Sequence, residues 1–191
     1  LLEAMSERRV SHDRERYELP EPFIVLATQN PHEYVGTFPL PESQLDRFLL
    51  ALKIGYPPRQ DERELLVSGG VETLLSDLQP VLAGAELLEL QSRVPDVMVA
   101  DQLTDYVLEL VEATRRSGDF LLGASTRAAQ DLFRATQAMA LCEGRLYAVP
   151  DDVQGIASQV LGHRVVLRQG GGFEAGRRAI DNLVAEVPVP L

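Results

Sequence analysis

Tryptophan is absent from the sequence, and cysteine and lysine occur once each, as Cys142 and Lys53. A single cysteine rules out an internal disulfide, so packing must hold the fold, and a reducing, cytoplasmic compartment is expected. Lys53 lies in an apolar run and not after a glycine loop, and the phosphate-cradling pattern G-x-x-x-x-G-K-[ST] occurs nowhere. The three histidines, His12, His32 and His163, stand apart without ligand spacing, so no metal site is expected. No apolar run approaches the ~20 residues of a membrane-spanning helix, and no secretory leader is visible. Positive charge is in short supply: 18 Lys and Arg stand against 29 Asp and Glu, a formal charge of −11. Such a surface repels phosphate backbones. Basic runs such as Arg8-Arg9 and Arg115-Arg116 are pairs and not patches, so nucleic acid is not an expected partner.

What is present is an ordinary globular composition, 45% hydrophobic and 25% charged over 191 residues. That length suffices for one large domain or two small ones and buries roughly 70% of the unfolded surface. Leu1, Leu2 and Met5 share one helical face, so the chain begins inside an amphipathic helix without an initiator methionine, as a piece of a longer protein would. Residues 9–11 and 16–19, around a polar tetrapeptide, predict a β-hairpin. Phe23 to Ala27 predicts a buried strand over 23–28 whose tip turns polar at Thr28-Gln29-Asn30 before Pro31. Pro41 and Glu42 open a short helix that runs to Arg47. Phe48 to Ile54 predicts a second strand, ended by Gly55-Tyr56-Pro57-Pro58.

After Pro58 everything reads as helix. One stripe holds Leu103, Tyr106, Val107, Leu110 and Val111; a second holds Ala128, Leu132, Ala135, Met139 and Cys142; a third holds Val153, Ile156, Ala157, Val160 and Leu161. Pro150 with Asp151-Asp152 opens the third helix, although Val149 is a poor cap. A last helix spans about 174–186. Gly170-Gly171-Gly172 reads as a flexible connector and Cys142 as core. The chain thus divides into an α/β part, 1–57, and an all-helical part, 58–191.

Three residues stand out as candidates for chemistry. Asn30, at the tip of a buried strand, would present an amide in the cleft at the carboxyl end of a sheet. Read alone, Asn30-Pro31 is better accounted for as a turn. Arg47, at the end of a short helix, would aim a cation at a partner's phosphate; the plainer reading is a surface pair with Asp46. Arg127 lies one turn into a helix among small residues, Gly123, Ala124, Ala128 and Ala129. A guanidinium opposes the helix dipole there, which makes an anion contact more plausible than at an arbitrary arginine; a solvated arginine accounts for it equally well.

Taken in order, the words LLEAMSERRVS, LPEPFIVLATQNP, GTFPLPESQLDRFLL and GYPPR, then PVLAGAELLELQ, LGASTRAAQDLFRATQAMALCEGRLYAVPDDV, LGHRVVL and the terminal VPVP, resemble the MoxR family of AAA+ ATPases. The resemblance spans essentially the whole chain. It implies an α/β remnant of an AAA+ P-loop NTPase core followed by an all-α helical lid. ATQNP is similar to the sensor-1 strand, so Asn30 would sense the γ-phosphate and orient the attacking water. QLDRF is similar to the arginine-finger element, so Arg47 would reach the ATP site of a neighbouring subunit. GASTRA is similar to the start of the sensor-2 helix, so Arg127 would contact phosphate; the family usually has Pro where Thr126 stands.

The resemblance also implies a P-loop and a Walker B strand that precede Leu1. This chain by itself is therefore expected to hold no nucleotide and to hydrolyse none. The parent would use ATP and Mg²⁺, assemble as a ring of six, and remodel client complexes, often with a partner carrying a von Willebrand factor A domain. Two rivals remain open: an ATPase subunit of the magnesium-chelatase type, and a non-enzymatic interaction module.

Overall fold

The computed structural model describes residues 2–13, 15–29, 41–67, 75 and 78–190. Helix α1, Leu2–Glu7, leads into an antiparallel hairpin of β1, Arg9–His12, and β2, Glu15–Glu18, with Val10 opposite Tyr17. Glu3 reaches across to it, accepting from the Ser11 hydroxyl and the Ser11 N–H. The hairpin expected from sequence is therefore formed.

The two expected strands are not. Residues 23–28 and 48–54 form no strand. A strand exists by virtue of its ladder, and among the described residues neither segment has one beside it. Residues 23–26 keep the period-2 alternation of extended chain, with Phe23 and Val25 half-buried, Ile24 76% exposed and Leu26 85% exposed. Ile54 is 99% exposed. Apolar side chains left in water in this way are surface shaped for cover. Between the two segments lies α2, Glu42–Leu45, with Pro41 at its N-cap and Asp46 at its C-cap, so the helix begins one residue later than the sequence suggests and stops short of Arg47.

Beyond Pro58 the expectation of helix holds, with one addition. Helices α3 (Arg59–Val67) and α4 (Gly84–Arg93) precede a 3₁₀ turn at Val94–Asp96. Then come α5 (Asp101–Arg116), α6 (Thr126–Cys142), α7 (Pro150–Leu161) and α8 (Gly172–Glu186). Among them runs a small antiparallel sheet, β3 (Phe120–Leu122) with β4 (Val166–Leu167), which the helical reading missed. Its strands are only 3 and 2 residues long, too short for a period-2 pattern to register. No helix of the described residues is long and apolar enough to cross a membrane.

The core is a helical bundle. Helix α6 packs on α7, α7 on α8, and α5 against both α6 and α8. Leu103, Tyr106, Val107, Leu110 and Val111 of α5 are buried, as are Ala128, Leu132 and Ala135 of α6 and Val153, Ala157, Val160 and Leu161 of α7. Each set follows the i, i+3, i+4, i+7 spacing of one helix face. The alanines on α6 let its neighbours approach, and Leu132 fills the middle. Met139 and Ile156 are half-buried.

Cys142 is exposed and not core, because it is the last residue of α6 and its helix has run past the packed layer. Gly170, Gly171 and Gly172 all have positive φ (71°, 113° and 65°). They are a left-handed turn that sets up α8, with Gly171 at its N-cap, and not merely a connector. Helix α7 solves its poor cap by a different route. The Asp152 carboxylate accepts from the Val149 N–H at 2.8 Å and pairs with Arg145 at 2.8 and 2.5 Å. Burial alone would raise the Asp152 carboxyl, but these hydrogen bonds and the Arg145 charge hold it below the usual carboxylate range.

The packing predicts that Leu132→Ala, which empties a fully buried site, costs roughly 2–5 kcal/mol. Urea unfolding of the two proteins measures this, and a loss below about 1 kcal/mol would mean that the bundle is not packed around Leu132.

Candidate functional site

The word GASTRA does its structural work before it reaches the arginine. At Gly123 the chain crosses the last turn of α5 so closely that a Cβ would sit 2.8 Å from the Arg115 side chain and 2.9 Å from its backbone. Ala124 is buried and gripped on both sides. The Thr114 hydroxyl accepts from its N–H at 2.9 Å, and the Arg115 Nε–H donates to its carbonyl at 2.9 Å. Ser125 then caps α6 by accepting from the Ala128 N–H at 3.1 Å. The small residues are thus required by the crossing, and the start of α6 is rigidly placed. Arg127 occupies the second position of that helix and is exposed. The first turn of α6 holds no acidic residue, so the helix N-terminus and the guanidinium together make a positive edge.

The turn that carries Arg47 meets the start of α6 from the other part of the chain. Arg47 is exposed, in the turn after α2. Asp46, beside it, accepts from the Ser125 hydroxyl at 3.0 Å, across 79 residues of sequence. The Asp46–Arg47 surface pair is therefore not the contact that Asp46 is built for. Its carboxylate also lies 3.9 Å from the Nε of Arg164.

Arg164 is the centre of this junction. It follows α7, and its side chain is 0% exposed. One Nη2 donates to the Phe48 carbonyl at 2.7 Å and to the Asp131 carboxylate of α6 at 2.6 Å. His163 adds a second donor: its Nε2 lies 2.8 Å from the same Phe48 oxygen, which can only accept, so Nε2 carries the proton. Further along, the Ala51 N–H donates to the Gln159 carbonyl at 3.0 Å, and Leu50 packs on the core. Burial holds the His163 imidazole below its ordinary value; the Phe48 carbonyl works against that shift and the Arg164 charge adds to it, while Gln159 and Asp46 pull it back.

The Asp46–Ser125 hydrogen bond joins the residue before Arg47 to the cap of the helix that carries Arg127. Asn30 lies outside the described residues. Sequence reasoning missed Asp46, Ser125, His163 and Arg164. The only signal was a polar His-Arg pair between apolar residues in LGHRVVL, with nothing local to say what it would meet. An exposed guanidinium in the first turn of a helix suits an anion such as a phosphate. Among the described residues no group of three acidic, histidine or cysteine side chains could hold a metal ion.

Comparison with known proteins gives this edge a context. Residues 1–50 match the profile of the ATPase family associated with various cellular activities, and residues 112–183 match an AAA lid domain. The chain is 40% identical over 193 residues to YeaC of Bacillus subtilis, covering 100% of this chain and 60% of that protein. It is 40% identical over 176 residues to chaperone MoxR1 of Mycobacterium tuberculosis, covering 87% of this chain and 46% of the relative. Protein MoxR of Paracoccus denitrificans is 31% identical over 214 residues, matching 100% of this chain and 62% of its own. A crystal structure from Cytophaga hutchinsonii superposes with a TM-score of 0.86 at 33% identity, over 100% of this chain and 61% of that one. The chain therefore spans about half to three-fifths of the length of the relatives it matches.

The neutral, half-buried His163 makes a prediction about pH. Its folded pKa is depressed, so protonation is disfavoured in the fold; the stability it contributes is fully present above its unfolded value of about 6.5 and is lost as pH falls from there toward the folded value. Urea midpoints at pH 7.5 and 5.5 will show the wild type losing more stability on acidification than His163→Gln, whose amide cannot titrate. Equal losses in the two proteins would contradict the assignment.

Proposed function

This chain belongs to the MoxR family of AAA+ ATPases, and we propose that it forms the sensor-1 and arginine-finger part of the core together with the helical lid of an ATP-hydrolysing, chaperone-like protein. The observation that supports the reading is the Asp46–Ser125 hydrogen bond, which ties the turn that carries Arg47 to the cap of the helix that carries Arg127. In this reading Arg47 reaches the γ-phosphate held by a neighbouring subunit and offsets the charge that spreads over its oxygens as the bond to the leaving phosphate breaks. Arg127 meets phosphate from the lid side. The Asn30 amide orients the attacking water. None of these groups becomes covalently bonded; the work is positioning and charge stabilisation.

ATP supplies the phosphoryl group when bound. The lysine and magnesium ligands that phosphoryl transfer needs would come from a P-loop and an acidic strand elsewhere in the longer protein. The division of the chain into a core part, 1–57, and a lid, 58–191, belongs to the same proposal. So do a cytoplasmic, ring-shaped assembly of six subunits, remodelling of client complexes, and a partner with a von Willebrand factor A domain. A finger that acts in trans makes the ring a chemical requirement, because each site is completed by its neighbour's Arg47.

In the full-length protein, Arg47→Ala is expected to lower ATP turnover about 10³–10⁵-fold while nucleotide binding is kept. Asn30→Ala also loses turnover with binding largely retained. Mixing Arg47→Ala subunits with subunits that lack the P-loop lysine restores some activity, since each supplies what the other lacks. Either single variant turning over at the wild-type rate would remove the role assigned to that residue.

A further inference from the structure

We propose that Arg164 is a positioning residue for Arg47, holding it by the residues on either side, and so sets the geometry with which one subunit completes its neighbour's ATP site. The inference rests on the reading of Arg47 as a residue that acts on a neighbour's nucleotide. It assigns a role to a side chain that touches neither nucleotide nor Arg47.

The geometry is specific. Arg164 faces Asp46, the residue before Arg47, at 3.9 Å, and donates to the carbonyl of Phe48, the residue after it, at 2.7 Å. The same Nη2 donates to Asp131 at 2.6 Å. Asp131 lies one helical turn below Arg127 on α6, and Ser125, which donates to Asp46, caps that helix. One planar guanidinium therefore spans the peptide unit of the Arg47 turn and a rigid helix of the bundle. A charge-assisted fork fixes direction as well as distance, which a flexible ammonium does not.

Stability alone is a poor account of this arrangement. The Nη1 of Arg164 is buried with no hydrogen-bond partner among the described residues. Buried ion pairs contribute little against well-packed apolar side chains of similar size. A buried cation kept with one nitrogen unpaired is explained by where it puts the chain. The backbone here runs without a strand ladder from 46 to 58; the Arg47 and Phe48 N–H groups bond to the Gln44 and Leu45 carbonyls, which shapes the turn but does not set its place against the bundle. The bundle supplies that constraint through Arg164, with His163 as a second hold on Phe48. An error of about 1 Å in a catalytic group costs on the order of 10²-fold in rate, so the hold acts on turnover.

The test uses the full-length protein and steady-state ATPase assays. Arg164→Lys keeps the charge and loses the fork. It is expected to lower kcat about 10–100-fold, with the KM for ATP within about threefold, since nucleotide is held elsewhere. The discriminating measurement mixes Arg164→Lys subunits with subunits that lack the P-loop lysine and are silent alone. Those subunits carry a correctly held Arg47, so sites formed between the two regain turnover. A merely structural defect stays with the Arg164→Lys subunit and is not relieved by mixing. Should Arg164→Lys fail to fold, Asp46→Asn, on a partly exposed side chain, takes its place in the same mixture. Wild-type kcat in the folded variant, or a loss that mixing leaves unchanged, overturns the proposal while leaving the role of Arg47 standing. A full-length protein without ATP turnover, or Arg47→Ala at the wild-type rate, overturns that role and this proposal with it.

Discussion

A single buried guanidinium decides how the two parts of this chain meet. Arg164 is enclosed, charged, and bonded to a carbonyl 116 residues away in sequence and to a carboxylate on α6. Taking such a group out of water is costly, and removing one partner of a buried charged pair typically destabilises by about 3–5 kcal/mol; here Asp131 is 30% exposed and Asp46 27%, which lowers the figure. The bundle can meet that cost because its own core is complete without the junction. The segment from 41 to 58 cannot: it has no ladder, and several of its apolar side chains face water. Beyond the local bonds of the α2 turn, Asp46, Phe48 and Ala51 are held by side chains and carbonyls of the bundle.

The bundle's stripes were legible because a 3.6-residue period repeats the same information every turn. Leu103 to Val111 and Val153 to Leu161 were readable from spacing alone, and the hairpin from its polar turn. The expected strands at 23–28 and 48–54 had the right composition, but a strand is a relation between segments, and its partners are not among the described residues. Cys142 shows the limit of periodicity from the other side. Its spacing continues the α6 stripe, yet the packed layer ends before it does. The glycine run after β4 was read for its softness and turned out to use the one conformation that other residues adopt with difficulty.

At the candidate site the legible part was the exposed part. Arg47 and Arg127 were picked out by type and by their place at helix ends, and both are exposed. The cluster behind them was illegible, because Asp46 with Ser125 and Phe48 with Arg164 are pairs made only by folding. Asp46 looked locally like a partner for Arg47, a contact that solvent would weaken to under about 1 kcal/mol. Its carboxylate instead serves Ser125 and Arg164.

The account's central claim is that the bundle delivers Arg47 to a phosphate held by another subunit. The most direct measurement is an experimental structure of the full-length ring with a non-hydrolysable ATP analogue. The account predicts the Arg47 guanidinium within about 3 Å of the γ-phosphate oxygens bound by the adjacent subunit, with Arg164 still joined to the Phe48 carbonyl and to Asp131. Arg47 pointing into its own subunit or into solvent, with nucleotide bound at every site, would contradict it.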